Sequence, residues 1–461
     1  MKAFALTLLI IAAHACVSTP PAASPGVSGP RASGTNVSAP TASSDGPIVF
    51  VENDYPAALA DARARHRLLF VDAWATWCHT CLSLRSYVFP DPALRPLAGR
   101  FVWLSLDTER EENAAIVSKL GVRVLPTLYV IDPTSEKAVL AWTGSLTAPE
   151  LASLLEESAI AVERGGEGGT AAAALLRANR ASAEGNLQVA IDAYHAALDS
   201  APPGWPSRAQ AVDGLVMRLA DARQLDACVV TGADEAPKMP PGTALADVLR
   251  TSIGCAEDLS PKMPGRARLT ELTALGERVA LDGSQPILAD DRSDLFDYVV
   301  GALRELGRGD DVRRVARKWA AFLEDQAARA PTPAARAVFD AHRLLAYVAV
   351  GEPQLGVPML ERSEHDFPDD YNPPARLAVA YLALRRFDDA LVAVRRAIGR
   401  AYGPRKLRLW SIEADIDEAK GDPAAARDAL RAGLSFARTV PLSVGYTKLR
   451  DALEERLARL R

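Results

Sequence analysis

Apolar and polar positions follow two different rhythms along this chain. From residue 48 to about 160, short apolar runs alternate with stretches of helical period. "IVFV" (48–51), "LLFVDAWA" (68–75), "FVWLSLD" (101–107), "PTLYVID" (126–132) and "AVLAWTG" (138–144) read as strands. "YPAALADARARH" (55–66), "ENAAIVSKLGV" (112–122, with a Gly stop) and "TAPELASLLEES" (147–158, capped by Thr147) read as helices. The order βαβ, then a hairpin, then a helix predicts an α/β sandwich over 48–162.

Past "ERGGEGGT" (163–170), a Gly-rich break, strand signals stop and Ala, Leu and Arg dominate. Residues 171–461 therefore read as all-α. Small and aromatic residues recur: Ala190, Tyr194 and Ala197; Leu344, Tyr347, Gly356 and Leu360; Ala378, Tyr381, Ala390, Val394 and Ala397; Ala425, Ala429 and Ala432. Markers 356, 390 and 425 step by 34 and 35 residues, the period of stacked helical hairpins. Residues 229–290 fit that register poorly; "EAPKMPPGT" and "LSPKMPGR" read as loops there.

The N-terminal end is different again. Lys2 and "AFALTLLIIAA" form a charged start and an apolar core too short to span a bilayer, and "AHAC" follows as a small-residue cleavage site. Residues 1–15 are expected to be an export signal. Cleavage after Ala15 would leave Cys16 first, as in a lipid-anchored bacterial envelope protein on the periplasmic side of a membrane; Ala13 and His14 depart from the usual residues of that motif. Residues 16–47, rich in Ser, Pro, Ala and Gly, hold too little apolar surface to fold and read as a tether. No later stretch is apolar enough, over about 18 residues, to cross a membrane.

With 461 residues, two or three domains are expected, and a net charge of −5 gives no electrostatic reason to bind nucleic acid. Five cysteines (16, 78, 81, 228 and 255) are too few for a disulfide framework. Cys78 and Cys81 stand as C-x-x-C just after an apolar run. Such a pair exchanges electrons, binds metal or fills a core. A metal commonly needs two such pairs, and Cys228 and Cys255 lack metal spacing, so redox chemistry is favoured with no metal and no cofactor beyond the cysteines. A helix starting at Cys78 would stabilise its thiolate. Cys228 and Cys255 read as buried thiols, with a disulfide between them as the rival. His195, His342 and His365 show no ligand spacing and read as ordinary helical residues. "RRVARK" and "RKLRLW" read as solvated faces.

Taken together, "WCHTC" with Trp77 ahead of the cysteines, Asp72 six residues before Cys78, "VLPT" (124–127) and "SYVFPDPALRPLAGRFVWLSLD" (86–107) resemble thioredoxin. The likeness extends to the C-terminal periplasmic domain of the disulfide reductase DsbD and related thioredoxin-like modules. The helical half resembles tetratricopeptide repeats. The first resemblance implies that Cys78 attacks and Cys81 resolves. It implies that Asp72 is a buried proton carrier, with a mere turn acid as the alternative. A cis Pro126 would present the backbone of Leu125 to a substrate strand, and Trp77 would shield the site. His79 between the cysteines either tunes the pair or is an exposed variable residue. Trp103 stands where thioredoxin has a buried lysine. The implied protein is a thiol–disulfide oxidoreductase acting on protein thiols and disulfides with an upstream electron donor or acceptor. Its repeats would hold a protein or peptide partner, and its N-terminal lipid would meet the membrane. The rival is a non-catalytic envelope scaffold using the repeats.

Overall fold

A computed structural model describes residues 47–163 and 170–460. The export signal, Cys16, the tether up to residue 46 and residues 164–169 of the Gly-rich break lie outside the described residues.

The first domain is a five-stranded mixed sheet between helices. In chain order it holds β1 (Phe50–Glu52), α1 (Tyr55–Ala64), β2 (Leu68–Trp74), α2 (His79–Ser83), β3 (Phe101–Asp107), α3 (Ala114–Leu120), β4 (Thr127–Asp132), β5 (Lys137–Thr143) and α4 (Ala148–Glu163). The strand order is β1-β3-β2-β4-β5. β1, β3 and β2 run parallel, and β4 and β5 are antiparallel, the hairpin expected from sequence. β2 is paired on both edges and covered on both faces, which is why its sequence is a nearly unbroken apolar run.

Alternation along the strands sorts the core into two layers. Phe70, Trp103, Leu128 and Val130 face Leu84, Val88, Leu94, Leu97, Leu151 and Leu155. Leu69, Val71, Leu104, Leu106 and Ile131 face Ala58, Leu59 and Ala62 of α1 and Leu120 of α3. Asp72 shares the parity of Phe70, so it points to the layer roofed by α2. That roof is irregular: α2 runs on into a π turn over Leu84–Val88, followed by a 3₁₀ turn over Pro92–Leu97.

Beyond residue 170 the described chain is helical throughout. Helix pairs such as Ala171–Ala183 with Leu187–Asp199, Asn372–Ala383 with Phe387–Arg400, and Lys406–Lys420 with Pro423–Ala437 stack side by side. Small residues let them approach: Ala190, Ala378, Ala390 and Ala397 are fully buried, and a Cβ on Gly356 would stand 2.8 Å from Leu344. One register differs from the sequence reading. In Pro423–Ala437 the buried face is Ala426, Ala429, Leu430, Gly433 and Leu434, while Ala432 is exposed and Ala425 half-buried. Residues 229–290 are better ordered than their sequence suggests. Helices Leu225–Glu235, Thr243–Asp258 and Leu269–Leu281 are joined by short 3₁₀ turns at both Pro-rich loops. Cys228 and Cys255 sit on the first two of these and form a disulfide, Cα–Cα 6.4 Å, rather than two free thiols.

Candidate functional site

Cys78 is the N-cap of α2. Its sulfur accepts the Cys81 backbone N–H at 3.1 Å, and it is disulfide-bonded to Cys81 one turn on. At a helix start the unpaired N–H groups favour negative charge, the condition a reactive thiolate needs. Cys81 is fully buried and Cys78 only 5% exposed.

Asp72 is fully buried in β2, and its Oδ1 has no hydrogen-bond partner. Burial pushes its carboxyl up to about 7, with the Arg85 guanidinium, 3.5 Å from Oδ2, opposing only in part. Arg85 comes from the π turn, lies 4.1 Å over the Trp74 ring and donates to Ser105. It thus puts a cation beside the buried acid, where the sequence comparison had pointed to Trp103. Trp103 instead packs against Phe70 and donates to the Ala98 carbonyl. The Leu125–Pro126 peptide is cis. Pro126 is buried and Leu125 half-buried, at the start of β4, the strand next to β2.

The helical array covers this end of the sheet. Trp77 packs on a helical-array cluster containing Tyr371 and Leu377, and its indole N–H donates to Glu109 at 3.1 Å. The other Glu109 oxygen takes the Arg405 backbone N–H at 2.8 Å, and the Tyr446 hydroxyl donates to the first at 2.8 Å. Burial raises the Glu109 pKa against these donors. The Tyr402 hydroxyl donates to Asp107 at 2.5 Å, and the Asn372 amide to the Thr76 carbonyl at 3.2 Å. Gly403 has φ +62°, and a Cβ there would overlap the Glu109 carbonyl, so the loop seats this closely only without a side chain.

His79 is not a free surface residue. Its Nδ1 lies 3.0–3.1 Å from both Asp290 oxygens, and its Nε2 lies 3.2 Å from Nε2 of His342. Burial alone would lower the His79 pKa, but the carboxylates of Asp290 and Asp294 overcome it and carry it up to about 9. His342 therefore stands at the redox centre, unlike its reading as an ordinary helical residue; His195 and His365 are not part of the cluster. Part of "RKLRLW" is likewise drawn in, since the Arg405 guanidinium lies 4.3 Å from the centre of the Trp77 ring. Asp290, Asp294, Glu109, Tyr402 and Tyr446 were not singled out in sequence. For Asp290 the local signal is the acidic start of helix Ala289–Glu305, which reads as ordinary helix-dipole pairing.

The sheet order, the disulfide at the head of α2 and the cis-proline strand define a thioredoxin-like redox domain, here followed by a helical-repeat array. Residues 51–133 match the family described as Thioredoxin-like. The thiol:disulfide interchange protein DsbD of Pseudoalteromonas atlantica is 29% identical over 82 residues, 17% of this chain; the match spans 14% of that relative's length. A putative disulphide-isomerase from Bacteroides thetaiotaomicron is 37% identical, covering 26% of this chain and 97% of the other, with a TM-score of 0.23. A tetratricopeptide repeat protein from Parabacteroides merdae covers 62% of this chain and 100% of its own at 9% identity, with a TM-score of 0.41.

Proposed function

We propose that this protein is an exported, lipid-anchored thiol–disulfide oxidoreductase of the bacterial envelope. The observation that carries the reading is the Cys78–Cys81 pair at the head of α2 in a domain whose buried acid, Asp72, faces the same layer. In the reducing direction the Cys78 thiolate attacks a client disulfide, forming a mixed disulfide and releasing the client's other sulfur as a thiolate. Asp72 takes the proton of the Cys81 thiol, and the Cys81 thiolate so formed attacks the Cys78 sulfur and expels the client's second sulfur as a thiolate, which is then protonated. The client leaves as a dithiol, and the enzyme is left as the Cys78–Cys81 disulfide. Two electrons have passed, and an upstream dithiol donor restores the pair. Leu125 and Pro126 line the path of an extended client strand, and the helical array selects the client. Export and the lipid on Cys16 rest on the sequence of residues 1–16. Among the described residues no helix is long and apolar enough to cross a membrane.

The burial of Cys78 favours a second reading, in which the array is a binding scaffold and the redox fold a docking module. Insulin reduction by the full chain with dithiothreitol separates the two. The first reading expects acceleration that Cys78→Ala abolishes. No acceleration, even with Gly403→Ala loosening the cover, leaves the second.

A further inference from the structure

We propose that His79, His342 and Asp294 form a binding site for a divalent transition metal of the zinc class, bridging the redox domain and the helical array. The ring nitrogens Nε2 of His79 and His342 lie 3.2 Å apart. Oδ1 of Asp294 lies 3.3 Å from Nε2 of His342 and 3.9 Å from that of His79. Zinc bound tetrahedrally, with ligands about 2.0–2.1 Å away, separates neighbouring donor atoms by roughly 3.3 Å. The three atoms therefore already stand close to the corners of one face of that tetrahedron.

The surroundings suit the same purpose. Asp290, fully buried, lies 3.0–3.1 Å from Nδ1 of His79. A metal would take the place of the proton on Nε2 of His79; with the other proton held on Nδ1 by Asp290, the Nε2 lone pair then faces the cluster. This is the carboxylate–histidine arrangement that orients metal-binding imidazoles. Its oxygen also comes within ligand range, since donor atoms of His79, Asp290 and His342 all lie within 4.8 Å of one another. His342 is 2% exposed, its Nδ1 has no hydrogen-bond partner, and its ring packs with its centre 6.3 Å from that of Trp319. Once a metal has replaced the His79 proton, two neutral imidazoles with two carboxylates carry a charge of about −2, which a divalent cation cancels. Nitrogen and oxygen donors in this number suit zinc and its neighbours, not calcium or magnesium.

The ligands come from far apart. His79 lies between the redox cysteines, Asp294 on helix Ala289–Glu305 and His342 on helix Asp340–Val350. A bound ion would pin the array to the catalytic turn and hold Cys78 under its cover.

The test is a cobalt(II) titration followed by visible absorption. It uses the untagged full chain, with disulfides intact and the Cys16 thiol alkylated so that no thiolate can act as ligand. We expect one equivalent to bind with the intense bands of a four-coordinate site and to be displaced by zinc. His342→Ala and Asp294→Asn should each weaken binding at least tenfold, and Asp290→Asn by roughly 10–100-fold as an outer partner. Circular dichroism checks that each variant folds; if His342→Ala does not, His79→Ala takes its place. Absence of saturable binding by the folded wild type, or equal binding by His342→Ala or its substitute, overturns the site and leaves an ordinary histidine–aspartate network.

Discussion

Trp77, immediately before the first redox cysteine, lies under Arg405, with the guanidinium 4.3 Å from its ring centre and both residues bonded to opposite oxygens of Glu109. The residue that flanks the first redox cysteine is therefore anchored to a loop more than 300 positions away, and the disulfide beside it is almost fully buried.

Gly403→Ala should loosen that anchor. The left-handed φ and the overlap with Glu109 together cost about 1–3 kcal/mol. If opening limits access, reduction of Cys78–Cys81 by dithiothreitol should speed up roughly tenfold, about what 1.4 kcal/mol gives. An unchanged rate, followed by alkylation and mass spectrometry, would mean that thiols reach Cys78 with the cover closed.

The two cysteines should behave unequally. Cys81→Ala leaves the helix-capping thiol with no resolving partner, so mixed disulfides with envelope proteins should accumulate. Cys78→Ala leaves only a fully buried thiol and should trap none. Non-reducing gels of the two variants in the Gly403→Ala background decide it; equal trapping contradicts the assignment.

Asp72 should impose a pH dependence on stability. Unfolded, its carboxyl ionises near pH 4; folded, burial holds the proton until about pH 7. The folded state thus binds the extra proton between those values, and its stability declines as pH rises through them. Asp72→Asn removes that decline. The variant's unfolding free energy relative to wild type should rise by about 4 kcal/mol from pH 4 to pH 8. A difference that stays flat across this range in urea titrations would show Asp72 titrating as an ordinary carboxyl.

The Cys228–Cys255 bridge closes a loop with a sequence separation of 27 between two packed helices. Chain-entropy arithmetic gives it about 3–4 kcal/mol. Replacing both cysteines by serine should lower the melting temperature of the helical region by several degrees without changing its circular dichroism at 25 °C. Mass mapping of the native protein should recover the pair as one cross-linked peptide; two free thiols would refute it.

Cys16 should carry lipid. Growth with a fatty-acid analogue should label the wild type and not Cys16→Ser, and a soluble, unlabelled wild type would favour simple secretion.

The α/β half was legible because its signals are local. β2 is one apolar run, α3 ends at a left-handed Gly121, and C-x-x-C fixes two side chains one turn apart. The burial of Asp72 followed from its place inside that run. Arg85 did not, because it reaches the acid from a π turn that no apolar period marks. Alanine-rich helices blur their own phase, which is why Ala432 was assigned to the wrong face. The meeting of His79 with Asp290 and His342 spans separations of 211 and 263 residues and is set by how helices stack, not by spacing. The same holds for the array's position. The Gly-rich break marks a boundary and says nothing of docking, whereas the contacts at Thr76, Trp77, Asp107 and Glu109 seat one unit on the other.

Glu109 also sets a timetable for biosynthesis. Its partners Arg405 and Tyr446 are translated some 300 residues after it. At roughly 5–20 residues per second, the redox domain spends tens of seconds as a nascent chain with its cysteines uncovered. During that interval the newborn protein is a more open thiol reagent than the finished one. If a disulfide-bearing oxidant takes two electrons from Cys78 and Cys81 during that interval, the bridge is closed before the final helices cover it.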